Sequence, residues 1–294
     1  MTAKRIDGKS LATEHLTQIK SEIPFTGSRP PGLCVIQVGD NPASSAYIRG
    51  KESASKTAGI LFEHLRLPRF SDYAAIKAQI LVQAQKHSVD GIILQLPLDL
   101  ENPLSASQVQ ELLEGIPPAK DADGLHPHNL GRVLGAESLP NHWTSPIPAT
   151  PLGMMRMLEK INFPLVCAKA VVIGKSRIVG MPIAMLLSHS GATVTLCHSK
   201  TKNLSEHTLT ADLVVVAAGK KHLLTAAHLK PGVTVLDVGI HALGEGKKLT
   251  GDAHPDCESV AAFISPVPGG VGPMTVAGLI ENTLRLYQGN IASR

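Results

Sequence analysis

Short unbroken apolar runs alternate along this chain with longer stretches whose apolar residues recur at helical spacing, the pattern of buried parallel strands joined by helices. Lys9–Glu22 has helical periodicity, and Gly32–Val38 (GLCVIQV) reads as a buried strand. Asp40-Asn41-Pro42 then supplies a cap and a first-turn proline for a helix that runs to about Ala58 and stops at Gly59. A strand near Leu61–Leu67, a helix over Asp72–Lys86, a strand at Gly91–Leu96 (GIILQL) closed by Pro97, and a helix over Ser105–Leu113 complete a βαβαβ pattern.

Residues 121–151 interrupt this alternation with a proline-rich stretch of little periodicity, the mark of a site or an interdomain connection. Regular βα alternation then resumes. Strands are predicted at Ala170–Gly174, Thr193–Cys197, Leu213–Ala217 and Thr234–Val238, with helices beginning near Pro182, Asn203 and Thr225. Ser265–Thr275 (SPVPGGVGPMT) reads as a second Pro/Gly-rich loop, and Val276–Gln288 as a final helix. The predicted fold class is α/β with a parallel sheet. The 294 residues argue for two domains.

Composition narrows the function classes. Hydrophobic content of 43% and charged content of 18% suit a globular enzyme, and aromatics at 3% require an aliphatic core. No apolar run approaches the ~18 residues of a membrane span. The opening MTAKRIDGKSLATEHL lacks the apolar centre of a signal peptide, so a cytoplasmic protein without a membrane partner is expected. The net charge of +4 comes without a Lys/Arg block, which points away from nucleic acid. Cys34, Cys167, Cys197 and Cys257 are far apart in sequence and read as buried free thiols in a reducing compartment. His126 and His128 flank Pro127 with no cluster to complete a metal site; they read as turn residues, and no metal is expected. Trp143 reads as a packing residue in a loop, and neither a nucleophile elbow nor a Walker loop occurs.

Candidate chemistry gathers at a few places. Ala170–Gly180 (AVVIGKSRIVG) has the outline of a strand, phosphate turn and helix start, with Gly174 and Gly180 in place and Ser176 where a second glycine is usual. Lys175 and Arg177 add charge. The next strand ends in Cys197-His198-Ser199-Lys200, with hydroxyl and basic groups where a ribose-gripping carboxylate would select NAD, so NADP is inferred over NAD. The short motif alone equally fits an ordinary strand–turn–helix with a surface lysine; four successive βα units favour the nucleotide. In the first half, Tyr47 and Lys51 are one helical turn apart on a face that Ser44, Ser45, Gly50 and Ser53 keep small and polar. A lysine shielded there can serve in proton transfer, although aromatic packing beside a solvated lysine fits the same pair. Gln95 ends its strand where ligands bind in open α/β sheets. Asp121 and Asp123 flank Ala122 ahead of Gly124, which fits a turn, or a carboxylate that accepts N–H bonds from a heterocycle.

Together these residues resemble the bifunctional methylenetetrahydrofolate dehydrogenase/methenyltetrahydrofolate cyclohydrolase family. The matching segments are Tyr47-x-x-x-Lys51, Gln95–Leu98, Lys120–Gly124, Gly174–Gly180, Cys197–Thr201, Asp237–Ile240 and Pro266–Thr275, in order over most of the chain. The resemblance implies a folate-binding domain over 1–145, completed by the C-terminal helix 276–294, and a Rossmann-like NADP-binding domain over 146–275. It implies an active site in a cleft between them, and a homodimer. It implies two reactions serving purine and amino-acid biosynthesis: oxidation of 5,10-methylenetetrahydrofolate with NADP, then hydrolysis of the methenyl product to 10-formyltetrahydrofolate. Under it Lys51 moves protons, Gln95 orients Lys51, and Tyr47 stacks on the folate. Asp123 grips the pterin and Asp121 is structural. Gly174, Lys175, Ser176, Ser199 and Ile240 contact NADP, while Pro268, Gly269 and Gly270 approach the substrate through their backbone.

Two positions depart from the family pattern. Lys175 stands where arginine is common, which keeps the charge but loses a bidentate phosphate contact, and Ala149 stands where cysteine is common. The alternatives are a member with only one of the two activities and a non-catalytic dinucleotide-binding protein. Tyr47, Lys51 and Gln95 argue against loss of the cyclohydrolase, and the βα series with Ser199 against loss of the dehydrogenase.

Overall fold

The computed structural model describes residues 2–23, 29–136, 145–244 and 248–292; Trp143 lies outside them. The first half runs β1 (Lys4–Arg5), α1 (Gly8–Glu22), β2 (Gly32–Val38), α2 (Pro42–Ala58), β3 (Leu61–Leu67), α3 (Tyr73–Gln85), β4 (Gly91–Leu94), α4 (Ala106–Glu114) and α5 (Pro127–Gly135). The second runs α6 (Ala149–Lys160), β5 (Lys169–Ile173), α7 (Gly180–His189), β6 (Thr193–Cys197), α8 (Leu204–Thr208), β7 (Leu213–Val216), β8 (Thr234–Asp237), β9 (His241–Leu243), β10 (Lys248–Thr250), β11 (Phe263–Ile264) and α9 (Val271–Ala292). The chain divides into two compact units. One comprises Thr13–Arg132, His142–Ala149 and Val276–Arg294; the other comprises Met1–Ala12, Val133–Asn141 and Thr150–Thr275.

The first of these units is built on a parallel sheet of order β3-β2-β4. Its central strand β2 is buried from end to end, which is why it reads as a continuous apolar run. Cys34, Ile36, Ile92 and Leu94 of the sheet pack with Ile76 and Ile80 of α3 and Leu112 of α4. Each such side chain contributes about 1.5–3 kcal/mol on burial. Asp72 caps α3 by accepting from Ala75 N at 2.8 Å, and Ser105 with Gln108 forms a capping box on α4. Beyond β4 a parallel bridge between Ile92 and Asp121 lays the 121–124 turn alongside the strand. At the other end Arg29 grips the Asp90 carboxylate with two guanidinium nitrogens, and Tyr287 Oη donates to Arg29 O at 2.6 Å, fixing α9 to this unit.

The other unit carries a parallel sheet of order β1-β11-β8-β7-β5-β6. The chain goes from β5 outward to β6 and then returns to the far side of β5 as β7. That reversal makes the carboxyl ends of β5 and β7 the switch point at which doubly wound sheets bind ligands. Val171, Ile173, Val214, Val216 and Val235 form the centre of its core.

Several predicted elements differ in extent. The 121–151 stretch contains α5, whose Pro127 occupies the first helical position, where a missing N–H costs nothing. The final helix begins at Val271, inside the predicted loop, because Pro273 falls in the first turn, where the N–H groups have no intrahelical partner. The helix expected near Thr225 is a short 3₁₀ turn over Ala226–His228. Cys34, Cys197 and Cys257 are buried, but Cys167 is exposed, on a turn at φ 64° just before β5.

Candidate active site

The helix α2 starts where the sequence indicated, with Asn41 Oδ1 accepting from Ser44 N at 3.3 Å. It presents Ser44, Tyr47 and Lys51 on one face, at spacings of three and four residues. Tyr47 is 51% exposed, a large aromatic surface that the chain itself does not cover. Ser44 Oγ is buried and has no hydrogen-bond partner among the described residues. A Cβ added at Gly50 would meet nothing within 4 Å, so packing within the chain does not demand that glycine.

Lys51 Nζ donates to Gln95 Oε1 at 2.9 Å. The amide of Gln95 is itself oriented, because its Nε2 donates to Leu96 O at 2.7 Å, which turns the oxygen toward the lysine. Burial pushes the Lys51 ammonium below the ordinary lysine range, and the Asp123 carboxylate opposes that shift only in part. Burial likewise raises Asp123, with Lys51 lowering it and Asp121 raising it further. Lys51, Gln95 and Asp123, each half-buried, thus form one electrostatic group.

Asp121 has a different task. Its carboxylate accepts from Gly124 N at 3.1 Å, His126 N at 2.8 Å and Asn129 Nδ2 at 3.0 Å, and so shapes the turn. Gly124 sits at φ 71°, and a Cβ there would lie 2.5 Å from Ile147 C, so only glycine fits.

In the six-stranded unit Gly174 has φ 118°, and a Cβ on it would lie 2.1 Å from Ala217 O, across the switch point. A Cβ on Gly180 would lie 1.8 Å from Gly174 O. Between them Lys175, Ser176, Arg177 and Ile178 are exposed. Ser176 Oγ accepts from Val179 N at 3.2 Å and Gly180 N at 3.3 Å, capping α7 and leaving its proton as the group available to an anion. After β6 the turn 198–201 closes on itself, with His198 N donating to Thr201 Oγ1 at 2.9 Å, and Ser199 and Lys200 are exposed.

Ile240 is 49% exposed after β8. Its neighbours are held by two buried carboxylates to which the sequence reading gave no role: Asp237, at the end of a predicted strand and in one of the matching segments, and Asp252, which no local pattern marks. Asp237 accepts from Gly239 N, Asp252 N and Ala253 N. Asp252 accepts from Ala218 N and Gly219 N and is hydrogen-bonded to His241 Nε2 at 2.7 Å, which ties the end of β7 to the segment after β8. Burial pushes Asp237 up to about 6 although its three backbone donors pull it down. In the loop before α9, Gly269 is at φ 103°, and Gly270 is so close to α1 that a Cβ on Gly8 would lie 1.8 Å from Gly270 O.

Tyr47, Lys51, Gln95 and Asp123 therefore belong to the three-stranded unit, and Gly174, Lys175, Ser176, Ser199, Ile240 and Pro268–Gly270 to the six-stranded one. A doubly wound sheet with a glycine cradle at its switch point, in one chain with a shielded lysine–carboxylate group, defines a nucleotide-dependent enzyme. The chain belongs to the tetrahydrofolate dehydrogenase/cyclohydrolase family: residues 6–123 match the model of its catalytic domain and residues 148–291 that of its NAD(P)-binding domain. It is 45% identical over 287 residues to the bifunctional protein FolD of Synechococcus sp. strain CC9902, covering 96% of this chain and 94% of the relative. It is similar to the crystal structure of the bifunctional FolD enzyme of Campylobacter jejuni, at 40% identity and a TM-score of 0.89, covering 98% and 99% of the two chains. It is also similar to the Trypanosoma brucei FolD structure complexed with NADP cofactor and inhibitor, at 32% identity, a TM-score of 0.89 and 99% coverage of both.

Proposed function

We propose that Lys51, oriented by Gln95, moves the protons in the hydrolytic half of a two-step folate reaction whose substrate is held by Tyr47 and Asp123. The enzyme oxidises 5,10-methylenetetrahydrofolate with NADP and hydrolyses the resulting 5,10-methenyltetrahydrofolate to 10-formyltetrahydrofolate. The observation that carries the assignment of Lys51 is the Nζ–Oε1 bond to Gln95 within a setting that depresses the ammonium. The methenyl carbon is already electrophilic, so the protein's task is to manage protons. A neutral Lys51 takes a proton from the attacking water as its oxygen bonds to that carbon. The ammonium then returns the proton to the ring nitrogen as its bond to the carbon breaks, and the hydroxyl on that carbon releases its own proton to solvent as the formyl C=O forms, so the cationic substrate and water yield the neutral product and one proton. The exposed ring of Tyr47 offers a stacking face to the folate, and Asp123 a carboxylate for the N–H groups of its heterocycle.

The residues present fit NADP. The glycines at 174 and 180 let the turn pack tightly against Ala217 and the start of α7, which sets that helix N-terminus at the switch point for a pyrophosphate, and the end of β6 offers Ser199 and Lys200 to a ribose phosphate without a carboxylate to repel it. Lys175 would add charge to that grip, and Ile240 an apolar surface. The bound cofactor supplies the hydride acceptor for the oxidation. With the purified chain, methylenetetrahydrofolate and NADP, NADPH absorbance must rise and methenyl absorbance must then decay. Loss of either signal removes the bifunctional reading, and an equal rate with NAD removes the cofactor assignment.

A homodimer is supported by β3. This strand forms one edge of its sheet, and among the described residues no strand pairs with its outer side. Leu61 N and Leu67 O bond to the β2 side, so by the two-residue period Phe62, His64 and Arg66 point their backbone groups outward. Leu61, at the start of the strand, and Phe70, three residues past its end, are 51% and 74% exposed. A second copy of the strand would satisfy both features. Phe62→Pro removes an outward N–H without touching the β2 bonds, and is expected to convert a dimer to a monomer in sedimentation velocity. A dimer that survives this change does not form through β3. The four free cysteines suit the cytoplasm.

A further inference from the structure

We propose that Asn282 on α9 is a positioning residue for substrate binding, setting the place of Asp123 by clamping the two backbone segments that flank it. The inference rests on the substrate role given above to Asp123. Asn282 is fully buried in the middle of a helix, where asparagine is a poor former and an unpaired amide is costly. Its side-chain hydrogen bonds reach away from its own helix. Nδ2 donates to Ala122 O at 2.9 Å and to Ile147 O at 2.7 Å, and Oδ1 accepts from Ile147 N at 3.2 Å.

Both targets lead to Asp123. Ala122 precedes it directly. Ile147 leads into Ala149, whose N donates to Asp123 O at 3.1 Å. On the other side of Asp123, Gly124 lies against the Ile147 carbonyl with no room for a Cβ. The Asp121 carboxylate shapes the turn from within. Asn282 joins that turn to the 147–149 segment from a helix 160 and 135 residues further along the chain. The helix is itself seated on β4, since a Cβ at Gly91 would lie 3.0 Å from Ala122 Cβ and 3.1 Å from Thr283 Oγ1. A carboxylate that must meet N–H groups of a rigid heterocycle depends on placement to a fraction of an ångström. Truncating Asn282 strands two buried carbonyls and one N–H, and the two segments must part or shift to find other partners.

The test uses the full-length enzyme with Asn282→Ala, Asn282→Ser, Asp123→Ala and each Asn282 change combined with Asp123→Ala. Folate KM, NADP Kd and the melting midpoint are measured for each. Asn282→Ala is expected to raise folate KM tenfold or more with NADP Kd within twofold, and Asn282→Ser, which keeps one donor, to recover part of the loss. On top of Asp123→Ala the Asn282 changes should add less than twofold, because residues acting through one group are not additive. A folded Asn282→Ala enzyme with KM within twofold of the parent overturns the proposal, as does a full tenfold penalty added to Asp123→Ala, the mark of a purely structural role. If Asn282→Ala does not fold, Asn282→Ser carries the same comparisons. An unchanged KM in Asp123→Ala alone removes the substrate role of Asp123 and the proposal with it. That result differs from a failed clamp, where Asp123→Ala raises KM and the Asn282 variants do not.

Discussion

Lys51→Met is expected to lower cyclohydrolase turnover by about 10²–10⁴-fold, the usual contribution of a positioned proton-transfer group, while NADP affinity stays within twofold. Methionine keeps the length and the apolar stem of lysine, so packing on α2 is preserved and the lost element is the amine. Lys51→Arg should fail nearly as badly, because a guanidinium keeps the charge and does not release its proton near neutrality. The electrostatics predict the pH dependence as well. The neutral amine is the form that takes a proton from water, and burial holds the Lys51 pKa below its ordinary 10.5. Cyclohydrolase activity should therefore rise with pH and reach its plateau below that value. Removing the Asp123 charge deletes an influence that raises Lys51, so in Asp123→Asn the plateau should begin at still lower pH, whatever happens to KM. Turnover within threefold of the parent in Lys51→Met would take this residue out of the mechanism.

What the sequence made legible, and what it did not, follows from the range of each interaction. The strands β2, β4, β5 and β7 stand out because a parallel strand covered on both faces must be apolar throughout. The start of α2 was legible because a cap and a first-turn proline act within four residues. The start of α9 was not, since Pro273 and the glycines before it resemble a loop until one counts which N–H groups a helix leaves unused. The pairs β1–β11 and β9–β10 have two or three residues per strand, too few for any period to show. In the candidate site, Tyr47 and Lys51 stand out through their spacing, and Gln95 through its strand end. Asp252 and Asn282 do not. Each is one polar residue that joins distant segments: Asp252 reaches back to Ala218 and Gly219, 34 and 33 residues away, and Asn282 to Ile147 and Ala122, 135 and 160 away, and no local pattern encodes such bonds.

The glycine cradle yields the other large effect. Gly180→Ala is expected to raise the NADP Kd by 100-fold or more and to abolish the dehydrogenase. The added Cβ would lie 1.8 Å from Gly174 O, 2.6 Å from Gly174 C and 3.1 Å from Lys175 Cα. All three are backbone atoms, so no side-chain rotation relieves the overlap, and the penalty exceeds the about 1–3 kcal/mol typical of overpacked side chains. The turn can yield only by moving Gly174 away from α7. Gly174 is held from behind, where its own backbone approaches Ala217 O too closely for a Cβ and its N donates to Cys197 O at 2.9 Å. Opening the turn therefore disturbs the ends of β5, β6 and β7 together, the place where the cofactor phosphates would lie. It also pulls the Gly180 N–H off Ser176 Oγ and uncaps α7. Gly131→Ala serves as the control. It lies within α5, a Cβ there meets nothing within 4 Å, and alanine should leave NADP binding unchanged while adding up to about 1 kcal/mol of stability. If Gly180→Ala binds NADP within threefold of the parent, close packing of α7 against Gly174 is not what shapes the cofactor site.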